Sequence, residues 1–458
     1  MRTETINQEA NNRQQYKSVL KTLILLSIPT ILEEVLSTLI QYVDTAMVGR
    51  LGEKATAAVS TTTTINWLIH ALPAAIATAV LAQAARAMGA GDKERLKKIS
   101  GQALLMAFTS GIVLEIIAIA LSPFIPGWMG AAEDIRANAT MYFAILSLTL
   151  FIRSASRILA ATIRATKDTK TPMLISVSEN VLNVVLNAIF IYGLGMGIKG
   201  AAIASAISYG IGGAMMFIAY RRNEYLNCPY SYVKPDREII RESIKIGFPA
   251  LCTHFASCMG YVVFAAMVSG MGTTIFAAHS IAVAAEEIVY IPGYGLRLAT
   301  STLVGNTLGE GNIKKLKMTE RISIELTMVI MFINGILLYI FATPLMGFFT
   351  NSDAVIELGA KMLMLVAFSE PFFGLMIVLE GIAYGKGQTK SVFYIETFSM
   401  WGIRIVSTYI CVKILTLDLT AVWMCMIADN VFKAIALSIY SKTQGARYIK
   451  ELEMKETL

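Results

Sequence analysis

Twelve stretches of the chain run for about twenty residues or more with few charges, and shorter polar segments separate them. They cover 22–48, 57–85, 100–122, 138–160, 172–193 and 200–220, then 243–268, 276–304, 320–343, 358–382, 391–414 and 419–441. An α-helix needs roughly 20 apolar residues to cross a bilayer's hydrocarbon. The pattern therefore predicts twelve membrane-spanning helices, numbered here as spans 1 to 12. Strict apolar–polar alternation, which a membrane β-barrel requires, is absent. The predicted fold class is an all-α membrane protein.

The pattern repeats. Displaced by 220 residues, the chain matches itself without a gap over long stretches. Ala46-Met47-Val48 falls on Ala266-Met267-Val268, Gly89 and Gly91 on Gly309 and Gly311, Pro29 on Pro249, and Thr169-Lys170 on Thr389-Lys390. The expected organisation is a tail (1–21), a six-helix lobe (22–220), a linker (221–242), a second six-helix lobe (243–441) and a second tail (442–458). Six is even, so both copies enter the membrane from the same side. The repeats are parallel, about an axis along the membrane normal. Between such copies lies the usual place for a substrate.

Charge settles the orientation. The two tails and the even-numbered loops, with the span ends beside them, hold 28 of the 39 Lys and Arg residues; the odd-numbered loops, with their span ends, hold six. Basic loops stay in the cytoplasm, so both termini are expected there, in a multi-pass protein of the plasma (inner) membrane. The net charge of +7 is then topology rather than a nucleic-acid surface. The first 21 residues are polar and lack the apolar core of a signal peptide. Cys228, Cys252, Cys258, Cys411 and Cys425 form no CxxC and read as buried, inert thiols. The stretch GIAYGKGQTK (381–390) lacks P-loop spacing, and HExxH, GxSxG and His/Asp clusters are missing. An enzyme is therefore not expected, nor a cofactor. Uphill work would draw on an ion gradient.

An ionisable group inside a span is costly and marks a pathway or a pair. Span 1 carries Glu33, Ser37, Gln41 and Asp44 along one side, with Pro29 placed to bend the helix near its start. Asp44 could be an interfacial residue, and Glu33 or Glu34 a partner for an arginine of span 4. Span 5 carries Asn180, Asn183 and Asn187 on one face. Amides glue helices together, but beside a carboxylate they also supply oxygens for a hard cation such as Na⁺. A carboxylate in a drier site suits H⁺. Span 8 carries Glu286 and Glu287, about 100° apart, so the two face different surroundings. Glu287 shares a side with Tyr294. The pair, with Tyr294, is a candidate substrate site or second proton site. Arg153, Arg157 and Glu115 read as a pair network, as do Asp429 with Lys433, and Glu370, Glu380, Glu396 and Arg404 within the second copy.

The segments VDTAMVGRLG (43–52), AMGAGD (87–92), RATKDTKTP (164–172) and LGEGN (308–312) resemble the multidrug and toxic compound extrusion (MATE) family, over residues 25 to 440. The resemblance implies two six-helix lobes in a V-shaped prokaryotic antiporter, exporting organic, often cationic or aromatic compounds in exchange for Na⁺ or H⁺. By position, its amino-lobe cation site falls on Asp44, Asn183, Asn187 and Ser205, and its bent first helix on Pro29. Na⁺ could be held at Asp44. Relatives of the DinF branch, which the amino-lobe site resembles, carry Asp-Pro where this chain has Asn187-Ala188. The carboxylates of NorM-like relatives in the second lobe fall on Ser257 and near Phe373, so that site is not carried over; Glu286 and Glu287 can take its place. Small organic molecules and membrane lipid are the expected partners, and a monomer the expected state. The rival reading is a lipid-linked sugar flippase, which would open Arg153, Arg157, Arg297 and Arg404 to the cleft.

Overall fold

The computed structural model describes the backbone of residues 2–456 and the side-chain surroundings of 12–62 and 65–444. Every predicted span falls on a helical run, and among the described residues there is no strand. Among the described residues, nine helices are long and apolar enough to cross a membrane. Spans 4 and 10 are instead broken. Glu133–Ser147 meets Leu150–Ala165 at 47°, and Asp353–Ala367 meets Glu370–Gly385 at 59°. Span 11 alternates between α and π winding: Thr389–Phe398, Ser399–Ile405 (π), Val406–Tyr409 and Ile410–Ile414 (π). Several helices, such as Arg2–Gly49 and Ile313–Phe349, outrun the predicted spans because their ends continue as polar turns beyond the hydrocarbon.

The 220-residue repeat extends to backbone detail. The breaks in spans 4 and 10 occupy equivalent positions. The motifs AMGAGD and LGEGN form the same turn, with Gly91 and Gly311 at φ 70° and 71°, a conformation that costs glycine little. After each turn a side chain caps the next helix: Asp92 accepts from Arg95 N and Asn312 from Lys315 N, both at 2.9 Å. The cores match too. Val48, Ala58, Ile135, Tyr142, Leu146 and Ala202 lie together in one cluster. Their equivalents Val268, Ala278, Val355, Met362, Val366 and Val422 lie together in another.

The chain divides into two compact units, Met1–Ile31 with Cys252–Leu458, and Leu32–Leu251. The dividing points lie inside spans 1 and 7, not in the 221–242 linker where the sequence suggests a junction. They too are 220 residues apart, and each follows a proline, Pro29 or Pro249, by two residues. Side-chain chemistry explains the allegiance of each helix start. Leu23 and Leu26 pack with Ala299, Leu303 and Ile322, and Thr30 Oγ1 donates to Gly295 O at 2.9 Å. In the other unit, Gln83 Nε2 donates to Ser243 Oγ at 2.8 Å, and Arg86 pairs with Glu242 at 3.4 Å. The linker is bound as well: Gln102 Nε2 donates to Tyr232 O and Lys234 O at 2.8 and 2.6 Å.

Pro29 sits inside a helix that remains one element, Arg2–Gly49. Proline removes a backbone donor, and hydroxyls occupy carbonyls on either side of the gap. Ser27 Oγ donates to Leu23 O at 2.7 Å, and Thr30 Oγ1 lies within reach of Leu26 O and Ser27 O.

Candidate functional site

Spans 1, 5 and 6 bring four polar side chains together within the Leu32–Leu251 unit. Asn187 Nδ2 donates to Asp44 Oδ1 and, at 3.1 Å, to Asn183 Oδ1. Asn183 Nδ2 donates in turn to Ser205 Oγ at 3.0 Å. Asn187 is wholly buried, Asn183 and Ser205 are buried, and Asp44 is partly open. The carboxylate dictates the amide orientation, since it accepts only. The donors thus point inward along the cluster, and Asn187 Oδ1 is left buried with no hydrogen-bond partner. A buried acceptor without a donor is costly. A hard cation beside Asp44 would satisfy it, because Na⁺-type ions are bound by carboxylate, amide and hydroxyl oxygens rather than by His or Cys. No group of three His, Cys, Asp or Glu residues suited to a metal occurs among the described residues.

The spacing that makes this possible is local. Asn183 and Asn187 are one turn apart, and the helix Lys170–Asn187 passes directly into the π-wound segment Ala188–Gly193. Winding changes of this kind are frequent at functional sites. Tyr192 from that segment donates to Met47 O at 3.0 Å, tying it to span 1.

The other polar residues of these spans have different employment. Glu33 accepts both oxygens' worth of contact from Arg164 Nη2, at 2.6 and 2.8 Å, with side-chain exposures of 15% and 12%. It is a structural pair member and does not reach Asp44. Asn180 donates to Ser37 Oγ at 3.1 Å, and Gln41 is exposed. The polar side of span 1 is therefore not one site. Its residues meet different partners because neighbouring helices cross it at an angle. Glu115, expected to pair with arginine, accepts instead from Phe151 N at 3.0 Å. Arg153 lies over the Tyr209 ring at 4.3 Å, with Nη1 lacking a partner. The carboxylate of Glu179 rests where a Cβ on Gly212 would sit. Glu179 was legible as a charge within span 5, but stands next to Asn180 and off the amide face.

The second lobe has its own polar interior. Glu286 is buried and accepts from Tyr290 OH, while Glu287 is exposed. The two carboxylates indeed face different surroundings, as their separation around the helix requires. Tyr290 stacks on Phe373 at 3.8 Å, and Tyr294 meets the same ring edge-on at 6.2 Å. Arg297 pairs with Glu380 at 3.0 Å. Asp429 is held by Arg404 at 2.8 Å and Lys433 at 3.2 Å, and Lys433 also lies 3.9 Å from Glu396. Glu370 departs from the expected pairing. It is completely buried, and neither carboxyl oxygen has a hydrogen-bond partner. The sequence places it among paired residues because an ionisable group inside a span usually has a partner, and only packing shows that none reaches it. The thiols are not uniformly buried either: Cys228 and Cys425 are, while Cys252, Cys258 and Cys411 are partly open.

Comparison with known proteins agrees with the duplicated architecture. The MatE family profile matches residues 29–189 and again 249–410, two segments whose starts are 220 residues apart. A probable multidrug resistance protein NorM of Thermotoga maritima is 26% identical over 427 residues, covering 92% of each chain. A probable multidrug resistance protein YoeA of Bacillus subtilis is 25% identical, covering 89% of this chain and 90% of the relative. Among solved structures, a MATE transporter in a bent conformation superposes with a TM-score of 0.90 at 23% identity, covering 96% of this chain and 98% of that one. A MOP-superfamily transporter from Pyrococcus furiosus, described as having a binding pocket of reversed polarity, gives 0.88 at 24% identity, covering 95% and 97%. With two matched copies, apolar spans and the shared fold, the chain belongs to the MatE family, the multidrug and toxic compound extrusion (MATE) membrane transporters.

Proposed function

We propose that the protein is a cation-coupled antiporter that exports organic, cationic or aromatic compounds by alternating access. The observation that carries this reading is the cluster Asp44–Asn187–Asn183–Ser205, whose inward-turned donors leave the buried Asn187 Oδ1 without a partner. In this reading the lobes are 22–220 and 243–441, joined by 221–242. The protein lies in the inner membrane of a prokaryote, with both termini cytoplasmic, and works as a monomer.

A cation enters beside Asp44 from outside and is bound by oxygens of Asp44, Asn183, Asn187 and Ser205. The ion drives transport only through its different affinity for the two access states. Binding changes the packing of span 1 against spans 5 and 6, and bound compound leaves outward. In the inward state, low cytosolic ion concentration releases the cation. Na⁺ is favoured over H⁺ by the amide oxygen. A proton on Asp44 supplies only one donor, and Asn187 Nδ2 must then turn away for Oδ1 to receive it.

Glu287 is exposed and close in sequence to the Tyr294–Phe373–Tyr290 aromatic group, an arrangement that suits an aromatic cation. Glu286 and Glu370, both buried, are the proposed second proton site. The flippase alternative is not favoured, since Arg297 and Arg404 are consumed by Glu380 and Asp429.

The test is compound-driven ion flux in vesicles, with Na⁺ varied at fixed pH and then pH varied without Na⁺. Loss of coupled flux in Asp44→Asn is expected. Full coupling in that variant overturns the proposal.

A further inference from the structure

Spans 11 and 12 are joined along an antiparallel seam of buried polar contacts. From one end to the other these are Glu396 with Lys433, Ser399 with Asp429 (Oγ donating to Oδ1 at 2.5 Å), Arg404 with Asp429 and Asn430, and finally Cys411 with Cys425. The last contact differs in kind. The Sγ atoms are 3.7 Å apart, and the two residues flank the short connection between the spans. Cys425 is buried and Cys411 partly open, beside the exposed Tyr409, Ile410, Ile414 and Leu415.

The other three cysteines show no such approach. Cys228 lies against Tyr220 OH at 3.7 Å, and no thiol–thiol contact involves Cys252 or Cys258. The repeat adds a second observation. Cys411 and Cys425 stand where the first lobe has Ile191 and Ser205. In that lobe the equivalent seam, between spans 5 and 6, is closed by the Asn183–Ser205 hydrogen bond. Ile403 replaces Asn183 at the matching position, so the hydrogen bond has no counterpart.

We infer that Cys411 and Cys425 are a redox-modification site, forming a reversible disulfide that bolts the end of the span 11–span 12 seam. A disulfide bond is about 2.05 Å long with its Cα atoms commonly about 5.5 Å apart. The two sulfurs, 3.7 Å apart, are already in van der Waals contact. The oxidant is a low-molecular-weight disulfide. The thiolate of Cys411, the more accessible sulfur, attacks one of its sulfurs and expels a thiolate, giving a mixed disulfide. The thiolate of Cys425 then attacks Cys411 Sγ and expels the second thiolate. The two protein thiols lose two electrons and two protons, and the external disulfide becomes two thiols. On the proposed topology the pair lies at the extracytoplasmic end of both spans, away from the basic loops, where such bonds persist.

The experiment uses the full-length protein in liposomes, treated with oxidised glutathione, then denatured and labelled with a polyethylene-glycol maleimide. The reduced protein has five thiols to label. After oxidation two labels are lost together, dithiothreitol restores them, and the melting temperature of the oxidised protein is higher. Cys411→Ser takes the same number of labels before and after oxidation, and its melting temperature does not respond. Undiminished labelling of the oxidised wild type overturns the inference. So does a disulfide-linked dimer on a non-reducing gel, loss of two labels in Cys411→Ser, or a bond that forms without raising the melting temperature. None of these readouts depends on transport, so the outcome is separable from that of the antiporter reading.

Discussion

Asn187 gives its amide hydrogens to Asp44 while its own oxygen stays buried with no donor in reach. One residue thus both orients the carboxylate and presents an unmet acceptor beside it. Replacing Asn187 by Leu removes both. A hydrogen bond to a charged group is worth roughly 1.5–3 kcal/mol, so the ion concentration for half-maximal coupled flux should rise by about 10- to 100-fold. Ion titration of flux in vesicles measures it, and an unchanged midpoint would remove Asn187 from the site. Asn183→Ala, one bond further away, should have the smaller effect.

Glu33 and Arg164 should behave as structure. Removing one partner of a buried pair leaves an uncompensated charge, at a cost of about 3–5 kcal/mol. The remaining exposure of 15% and 12% places this pair at the lower end. Glu33→Ala should therefore melt at a clearly lower temperature in detergent, while the ion midpoint of whatever folded protein remains stays the same. A shifted midpoint with normal stability would return Glu33 to the ion site.

Glu370 and Glu380 make a contrasting pair of tests. Glu380→Gln takes the negative partner from Arg297, 3.0 Å away, and should cost several kcal/mol, about 3 at the low end for a broken buried pair. Glu370→Gln breaks no hydrogen bond and should cost less than about 1 kcal/mol, within the range of a single neutral hydrogen bond. Thermal unfolding of the two variants ranks them. The opposite order would show that Glu370 has a partner in the membrane-embedded protein.

Gly295→Ala examines the attachment of the start of span 1 to span 8. A Cβ at Gly295 would lie 2.7 Å from Ile31 N and 2.8 Å from Ile31 Cα, which is backbone and cannot rotate away. Overpacking of this kind costs about 1–3 kcal/mol, and the Thr30–Gly295 hydrogen bond would be lost with it. A lower melting temperature is expected, with Thr30→Val giving a smaller fall. Wild-type stability in Gly295→Ala would mean that the two helices are not held this closely.

Much of the scaffold was legible in the chain because its causes are local. A run of apolar residues long enough to cross a bilayer needs no partner to be recognised. The glycine turns at Gly91 and Gly311, with their Asp92 and Asn312 caps, follow from short-range backbone chemistry. The duplication of both was readable from the 220-residue offset alone. The amide spacing of Asn183 and Asn187 was likewise a property of one helix.

Partnership was decided elsewhere. Glu33 and Asp44 lie about 20° apart around the same helix, given 3.6 residues per turn, yet one meets an arginine and the other an amide. Glu370 is buried and touches no base, whereas Glu380 finds Arg297 83 residues away. Span 1 reads as part of the first lobe, but its start packs with Ala299, Leu303 and Ile322 of the second. The amino-acid sequence by itself determined the helices, their number and their repeat, because periodicity and hydrophobic length act within a single segment. Which buried charge is neutralised, which is left without a partner, and which thiols touch were decided only by tertiary structure, because these depend on the angles at which separate helices cross.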